Sequence, residues 1–160
     1  MKARLVAAAL LMLVLSACGF RLQGRAPLPE ILWNAQVIAQ DPQTDFVQGL
    51  RRALITSGGK LTNNESQATG TVRVHKDTFT RKILSVSAQN TPREYEITYT
   101  VEFSVDGKAG EVLPSQKVEI TRDFSFNETQ MLAKENEEAI LREGMARDLV
   151  AIVMRRLSSI

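Results

Sequence analysis

Four residues near the start of the chain, Leu15-Ser16-Ala17-Cys18, have the types and order of a site at which a cysteine thiol is lipidated. Lys2 and Arg4 precede an apolar run over 5–15, and two small residues stand just before the cysteine, as in a cleaved signal peptide. Cys18 is the only cysteine of the chain. The pattern predicts a signal peptide over 1–17, S-diacylglycerol on Cys18 and an N-palmitoyl group on its new amino terminus.

Two alternatives to lipidation stay open at this point. A transmembrane anchor needs about 20 apolar residues, and the run from Leu5 to Leu15 has 11. The other alternative is an ordinary secretory signal with a cysteine there by chance. Gly19 stands where an aspartate commonly retains bacterial lipoproteins in the inner membrane, so this sorting rule favours the outer membrane.

The charge balance argues against a nucleic-acid partner. The chain has 20 basic and 18 acidic residues, and removal of 1–17 would leave 18 of each. No dense run of Lys and Arg is present to neutralise phosphates in series. The 143 residues that follow the cleavage site suffice for one domain with a real core.

Residues that could support catalysis or metal binding are sparse. His75 is the only histidine, and its alternation with Val72 and Val74 indicates an ordinary surface position. Without a free cysteine, a transition metal would have carboxylates alone, which are weak ligands for it. We interpret the acidic residues Glu135, Glu137 and Glu138 as a solvated helix face. They do not indicate acid–base chemistry. The sequence predicts no enzyme, no metal and no cofactor.

A tether and a strand open the chain after the lipidation site. The segment 18–30 contains Pro27 and Pro29, which indicates an extended link between the lipid and a single domain over 31–160. Apolar and polar residues alternate over 31–40, and this period of two predicts the first strand.

A helix is expected next. Asp41-Pro42 offers a cap followed by a first-turn proline, and Thr44 is an alternative cap. Apolar residues then recur at helical spacing, namely Phe46, Leu50, Ala53 and Leu54. Gly58-Gly59 predicts the end of the helix, with one glycine in a left-handed conformation. A polar loop over 63–69 follows.

Three strands come after that loop. The apolar phase slips within the first, 71–80, which predicts a bulge or a strand break, and 85–93 is expected to be a polar loop. The segment 94–106 alternates without interruption, as in a half-buried antiparallel strand. Asp106-Gly107 and Gly110 predict a hairpin turn, and 117–126 predicts the last strand.

A long helix over 127–157 is expected to close the chain. It has an apolar stripe comprising Leu141, Met145, Leu149, Ile152 and Val153. Gly144 within it suggests close packing or a bend. The predicted fold class is α+β, a two-layer sandwich in the order β-α-β-β-β-α. Two helices cover one face of a four-stranded, mostly antiparallel sheet, whose other face is polar.

Three segments resemble the LptE family of lipopolysaccharide (LPS) assembly lipoproteins. They are the start after the cleavage site, Cys18 to Gly24; Arg93-Glu94-Tyr95-Glu96-Ile97, which opens the long strand; and 127–138, which leads into the last helix. The likeness extends over essentially the whole chain after Ala17, although the long polar tail of some members is missing.

The resemblance implies a protein in the lumen of the outer-membrane β-barrel LptD, acting as plug and assembly partner during delivery of LPS. The expected location is therefore the outer membrane, lipid-anchored, on the periplasmic side and in the barrel lumen. The alternative is a free-standing outer-membrane lipoprotein that binds a small amphiphile or peptidoglycan. Co-purification with a large barrel would separate the two.

An LPS contact requires cations because the lipid A phosphates are anionic. Arg81 and Lys82 lie near the phase slip, Arg93 ends the 85–93 loop, and Lys134 lies in the first turns of the last helix. Lys134 is the strongest single candidate. Its Glu neighbours do not extend a basic surface, so membership of such a surface does not explain this lysine. The middle of the 85–93 loop lacks the basic residue of the family, and solvated surface charges are the alternative interpretation for all four.

Overall fold

The computed structural model describes residues 27–125 and 134–160, the side chains of 134–136 excepted. Two helices and five strands are present in these ranges: β1 (Asn34–Ala39), α1 (Asp45–Thr56), β2 (Lys60–Leu61), β3 (Gly70–Val86), β4 (Pro92–Gly107), β5 (Gly110–Ser125) and α2 (Lys134–Leu157). Short 3₁₀ turns occupy Glu30–Leu32 and Glu65–Gln67. None of the described helices is both long and apolar enough to cross a membrane.

The sheet has the order β2-β1-β3-β4-β5. β1 pairs in parallel with both β2 and β3, whereas β3, β4 and β5 form an antiparallel meander. The α+β class is confirmed, but the expected four-stranded, mostly antiparallel sheet is wrong: the sheet is mixed and has five strands. β2 escapes a search by periodicity because two residues cannot display a period.

The N-terminal segment packs earlier than expected. Leu28 and Leu32 belong to the hydrophobic core, so the packed domain begins three residues before the expected boundary at 31. Ile31 and Leu32 lie in a 3₁₀ turn and not in the first strand, which begins at Asn34.

Helix α1 uses the alternative cap. Thr44 has extended backbone angles and its side-chain oxygen accepts a hydrogen bond from the Val47 amide at 3.2 Å. The Asp41 side chain instead accepts a hydrogen bond from the Gln43 amide at 2.8 Å, which forms a turn just before the helix cap. Gly58 adopts φ +97°, the left-handed conformation expected at the helix end.

The phase slip in β3 is a bulge at His75. Val74 pairs with Phe103 and Lys76 with Glu102, so His75 has no pairing partner in β4. The strand continues past the bulge to Val86, and β4 begins at Pro92. The expected loop over 85–93 therefore shrinks to a tight turn between two long strands.

Strand β4 forms the centre of the core. Its alternate residues Tyr95, Ile97, Tyr99, Val101, Phe103 and Val105 are all buried. Both helices pack on this face, and the core includes the α2 residues Met145, Leu149, Val153 and Leu157. The helices approach each other closely at Gly49, where an added Cβ would lie 3.1 Å from a methyl of Val150.

The opposite face of the sheet is polar, as predicted, yet two of its residues are buried. Thr100 donates a hydrogen bond to Glu119 at 2.9 Å, and Ser104 is 2.8 Å from the Nε2 atom of His75. His75 thus lies on the polar face, and its ring nitrogen has a partner in the neighbouring strand.

Candidate functional site

Three of the four predicted LPS-contact residues lie together at one end of the β3–β4 hairpin. We define the hairpin tip as residues 81–93. The pairings Lys82 with Glu96 and Val86 with Pro92 place Arg81, Lys82 and Arg93 within this end of the ribbon. This end is distant from the start of the hairpin, where Gly70 pairs with Gly107.

The turn of the tip is held by Ser87. Its amide donates to the Thr91 carbonyl at 2.7 Å, and its hydroxyl accepts from the amides of Gln89 and Thr91, each at 3.2 Å. Asn90 adopts φ +61°, a left-handed conformation that asparagine tolerates better than most residues. The turn therefore has a defined shape on which the flanking cations are mounted.

Arg81 is the most constrained of the three candidates whose side chains the structure describes. The guanidinium group lies 4.9 Å from the centre of the Tyr95 ring and forms an ion pair with Glu138 of α2 at 2.9 Å. Both contacts lie on the helix side of the sheet. Through the ion pair, Arg81 joins the hairpin to the last helix. The carboxylate of Glu138 therefore partly balances the charge of Arg81 in the absence of any ligand.

Lys82 and Arg93 are the more available cations. Lys82 is adjacent to Arg81 in a strand, so its side chain leaves the opposite face of the sheet. Both Lys82 and Arg93 are exposed, and within 27–125 and 134–160 neither takes part in an ion pair. Their charges are open to an anionic partner.

Two predicted residues are placed only partly or not at all. Lys134 is the first residue of α2, one helical turn before Glu138, so its backbone lies toward the hairpin tip. Its side chain falls outside the described atoms. Cys18 and the signal peptide over 1–17 lie outside the described residues.

Exposed aliphatic residues accompany the cations, and the sequence analysis missed them. Ile83, Leu84 and Val86 are 52%, 46% and 50% exposed. Their signal in the sequence is the adjacent pair Ile83-Leu84, which breaks the alternation of apolar and polar residues at a second register shift of β3, between Ile83 and Ser85. The tip combines cations with aliphatic side chains, which suits a ligand that has an anionic head and hydrocarbon chains.

A second polar group lies between β3 and the start of α1. Thr44 donates a hydrogen bond to Asp77, and the Tyr99 hydroxyl also interacts with this carboxylate and with the Phe46 amide. Burial raises the pKa of Asp77 above its ordinary value, against the lowering effect of the two hydrogen bonds. Burial next to Asp77 likewise raises the pKa of the Tyr99 phenol.

This second group is better explained by structure than by catalysis. It borders an open cleft of about 310 Å³ that Asp45 and Arg142 also line, and these two form an ion pair at 2.8 Å. The hydrogen bonds satisfy the first amides of α1, which have no partner inside the helix. In the described part of the chain, no set of three His, Cys, Asp or Glu residues could hold a metal ion.

Sequence comparisons give a consistent set of relatives. The family model described as "LptE: Lipopolysaccharide-assembly" matches residues 35–157. The LPS-assembly lipoprotein LptE of Pectobacterium atrosepticum is 26% identical over 152 residues, which cover 94% of this chain and 82% of that protein. The protein of the same name from Photorhabdus laumondii is 24% identical over 151 residues, with the same coverages.

Solved structures with the same fold are also lipoproteins. The solution structure of uncharacterized lipoprotein B from Nitrosomonas europaea is 26% identical, with a TM-score of 0.72 over 88% of this chain and 91% of that one. The crystal structure of rare lipoprotein B from Shewanella oneidensis is 24% identical, with a TM-score of 0.67 over 79% of this chain and 94% of that one. The latter likeness concerns the fold alone.

Proposed function

Because the chain belongs to the LptE family of lipopolysaccharide-assembly proteins, we propose that it assembles with the outer-membrane β-barrel LptD, plugs its lumen and assists delivery of LPS to the outer leaflet. This function is non-enzymatic. Its LPS-contact surface is the hairpin tip, with Lys134 at the start of α2 as a further contact.

The composition of the hairpin tip carries the LPS part of the proposal. Lys82 and Arg93 are exposed cations without an ion-pair partner in the described residues, and Ile83, Leu84 and Val86 are exposed aliphatics beside them. Lipid A presents phosphates and acyl chains in the same molecule. Cations bind the phosphates by charge-assisted hydrogen bonds, and the aliphatic side chains can contact the acyl chains.

The polar face of the sheet supports the plug. A barrel lumen is wet and polar, and the face opposite the helices has hydroxyl and charged side chains. Thr98 and Thr121, for instance, are joined by a 3.2 Å hydrogen bond across β4 and β5. A closed domain with one flat polar face can contact such a lumen without losing its own core.

Lipidation of Cys18 would keep the chain at the outer membrane. One acyl chain binds a bilayer reversibly, and stable anchoring requires more than one. S-diacylglycerol together with N-palmitate satisfies this requirement. Mass spectrometry of the N-terminal peptide from purified membranes is expected to show both modifications.

LPS binding by the purified chain tests the contact surface. The variant Lys82→Glu/Arg93→Glu is expected to bind LPS more weakly at low salt, and the deficit should shrink as salt screens the charges. The matched control is Lys60→Glu/Lys108→Glu, which reverses two exposed lysines away from the tip. Lys134→Glu tests the further contact. Equal binding by the tip and control variants would remove the tip from consideration.

Affinity purification from outer membranes tests the barrel partner. We expect a large barrel protein to co-purify in stoichiometric amount with the lipidated chain. Recovery of the chain alone, with bound peptidoglycan fragments or a small amphiphile, would favour the free-standing lipoprotein.

A further inference from the structure

A second group of exposed apolar side chains lies at the end of the sheet opposite the hairpin tip. Trp33, Ile55 and Val112 are 56%, 55% and 45% exposed. Trp33 directly precedes β1, Ile55 is next to the last residue of α1, and Val112 is the third residue of β5. We call this region, formed by 27–33, 55–60 and 107–112, the anchor end.

Backbone pairing shows that these segments meet. The Lys60 amide donates to the Trp33 carbonyl at 2.7 Å, and the Gly59 amide donates to the Leu54 carbonyl at 3.0 Å, so the end of α1 adjoins Trp33. On the other side, a Cβ added at Gly107 would lie 2.8 Å from the Ile31 Cδ1 atom and 3.0 Å from a methyl of Val112.

Trp33 is exposed but fixed in orientation. Its indole N–H donates to the Leu28 carbonyl at 3.2 Å. Leu28 is itself buried, with its Cδ2 atom 2.7 Å from the position of a Cβ on Gly59. A ring with a satisfied N–H and an open apolar face suits the boundary between lipid and water, where tryptophan is enriched.

The length of the tether limits how far this end can lie from the lipidated residue. Pro27 follows Cys18 by nine positions, and each step spans at most about 3.4 Å, so Pro27 stays within about 30 Å of the lipidated residue. β3 runs from Gly70, beside the anchor end, to Val86 at the tip. At about 3.3 Å per residue, the tip therefore lies about 50 Å from the anchor end along β3.

We propose that the anchor end lies in the phospholipid headgroup layer of the membrane that holds the Cys18 lipid, with Trp33 as its main contact. This inference rests on the lipid anchor of the proposed function. The charges of this end are mixed, with Lys60 and Lys108 beside Glu30 and Glu111, so aromatic and aliphatic contacts dominate. The contact orients the domain, with the hairpin tip directed away from the anchoring leaflet.

The fluorescence of Trp33 gives a direct test because it is the only tryptophan in the chain. The purified lipidated chain is incorporated into vesicles of phosphatidylethanolamine and phosphatidylcholine. We expect Trp33 emission to shift to shorter wavelength, to be quenched by brominated phosphatidylcholine and to lose its quenching by aqueous iodide. Replacing part of the lipid with phosphatidylglycerol should leave these signals unchanged.

A variant that moves the reporter provides the matched control. In Trp33→Phe/Leu84→Trp, the only tryptophan lies at the hairpin tip, and we expect iodide to quench it while brominated lipid does not. Equal quenching of the two reporters by brominated lipid would contradict the proposed orientation.

Mass spectrometry of the N-terminal peptide separates the two ways of failing. If the peptide carries its lipid and iodide reaches Trp33 equally with and without vesicles, the inference is overturned while the anchor stands. In that case the exposed ring would serve a protein partner. If the Cys18 thiol is unmodified, the proposed anchor fails and the inference falls with it.

Discussion

The two ends of the sheet differ in how much of their apolar surface the core buries. At the anchor end, Leu28 and Leu32 are buried in the core, while Trp33, Ile55 and Val112 around them are exposed. At the hairpin tip, Ile83, Leu84 and Val86 are about half exposed on a ribbon that continues past the core. The difference shows that coverage by the helices, and not the apolar pattern of a strand, decides which residues stabilise the fold and which remain available to a ligand.

The largest expected effect separates the core from the tip. Phe103→Ala or Leu149→Ala removes a fully buried side chain and should lower the free energy of unfolding by about 2–5 kcal/mol. Leu84→Ala should change it by less than about 0.5 kcal/mol, since its side chain is half exposed. Denaturant melts measure both, and equal losses would break the distinction between core and tip.

Glycine substitution sharpens the comparison at the anchor end. A Cβ at Gly70 would lie 2.6 Å from the Ile31 carbonyl oxygen, so Gly70→Ala should destabilise by about 1–3 kcal/mol through overpacking. Gly144 is the matched control, because its nearest neighbour is the end of the Arg147 side chain at 3.8 Å. Gly144→Ala should therefore stabilise by about 0.5–1 kcal/mol, and a loss there would contradict this account.

The stability of the fold is expected to depend on pH through Asp77, which lies between the two ends of the sheet. Because burial raises the pKa of Asp77 in the folded state, its contribution to stability is complete below its unfolded pKa of about 3.9 and is lost as the pH rises through the folded value. Asp77→Asn keeps an acceptor for Thr44 and carries no charge. We expect it to be more stable than the natural chain at pH 7, with the difference vanishing below about pH 4. Thermal melts across this range measure the difference, and a constant offset would contradict the titration.

The smallest expected effect lies at the tip. Arg81 and Glu138 are both partly exposed, so Glu138→Gln should lower the free energy of unfolding by less than about 1 kcal/mol. Its effect on LPS binding should be an increase, because Arg81 then lacks its internal partner. Titration of LPS into the variant checks this, and weaker binding would show that the ion pair positions the tip.

The parts of the fold that sequence alone predicts are those with a long, uninterrupted period. The alternation over 95–105 predicts the buried face of β4, and the slip after Val74 predicts the bulge. β2 and the 3₁₀ turn at Glu30–Leu32 are too short to display a period. The choice of Thr44 over Asp41 as cap depends on Asp77, which is distant in sequence and accepts the Thr44 hydroxyl.

The candidate site was predictable in its charges but not in its shape. Positive charge, together with position near the phase slip and the expected 85–93 loop, selects Arg81, Lys82 and Arg93 as candidates. The contact of Arg81 with Tyr95 depends on the register of β3 against β4, and its ion pair with Glu138 depends on where α2 lies against the hairpin, which no local pattern reveals. The expectation of a loop over 85–93 failed because polar residues in an extended ribbon and in a loop have the same composition.

The bulge at His75 changes which residues of β3 face the helices. Before it, Val72 and Val74 face the helices, and after it, the odd-numbered Asp77, Phe79 and Arg81 do. Insertion of a single residue beyond Lys76 would exchange these faces unless a further bulge absorbed it, because side chains alternate along a strand. Lengthening or shortening the ribbon by two residues per strand would keep these faces without a new bulge, and each such step would change the reach of the tip by about 7 Å.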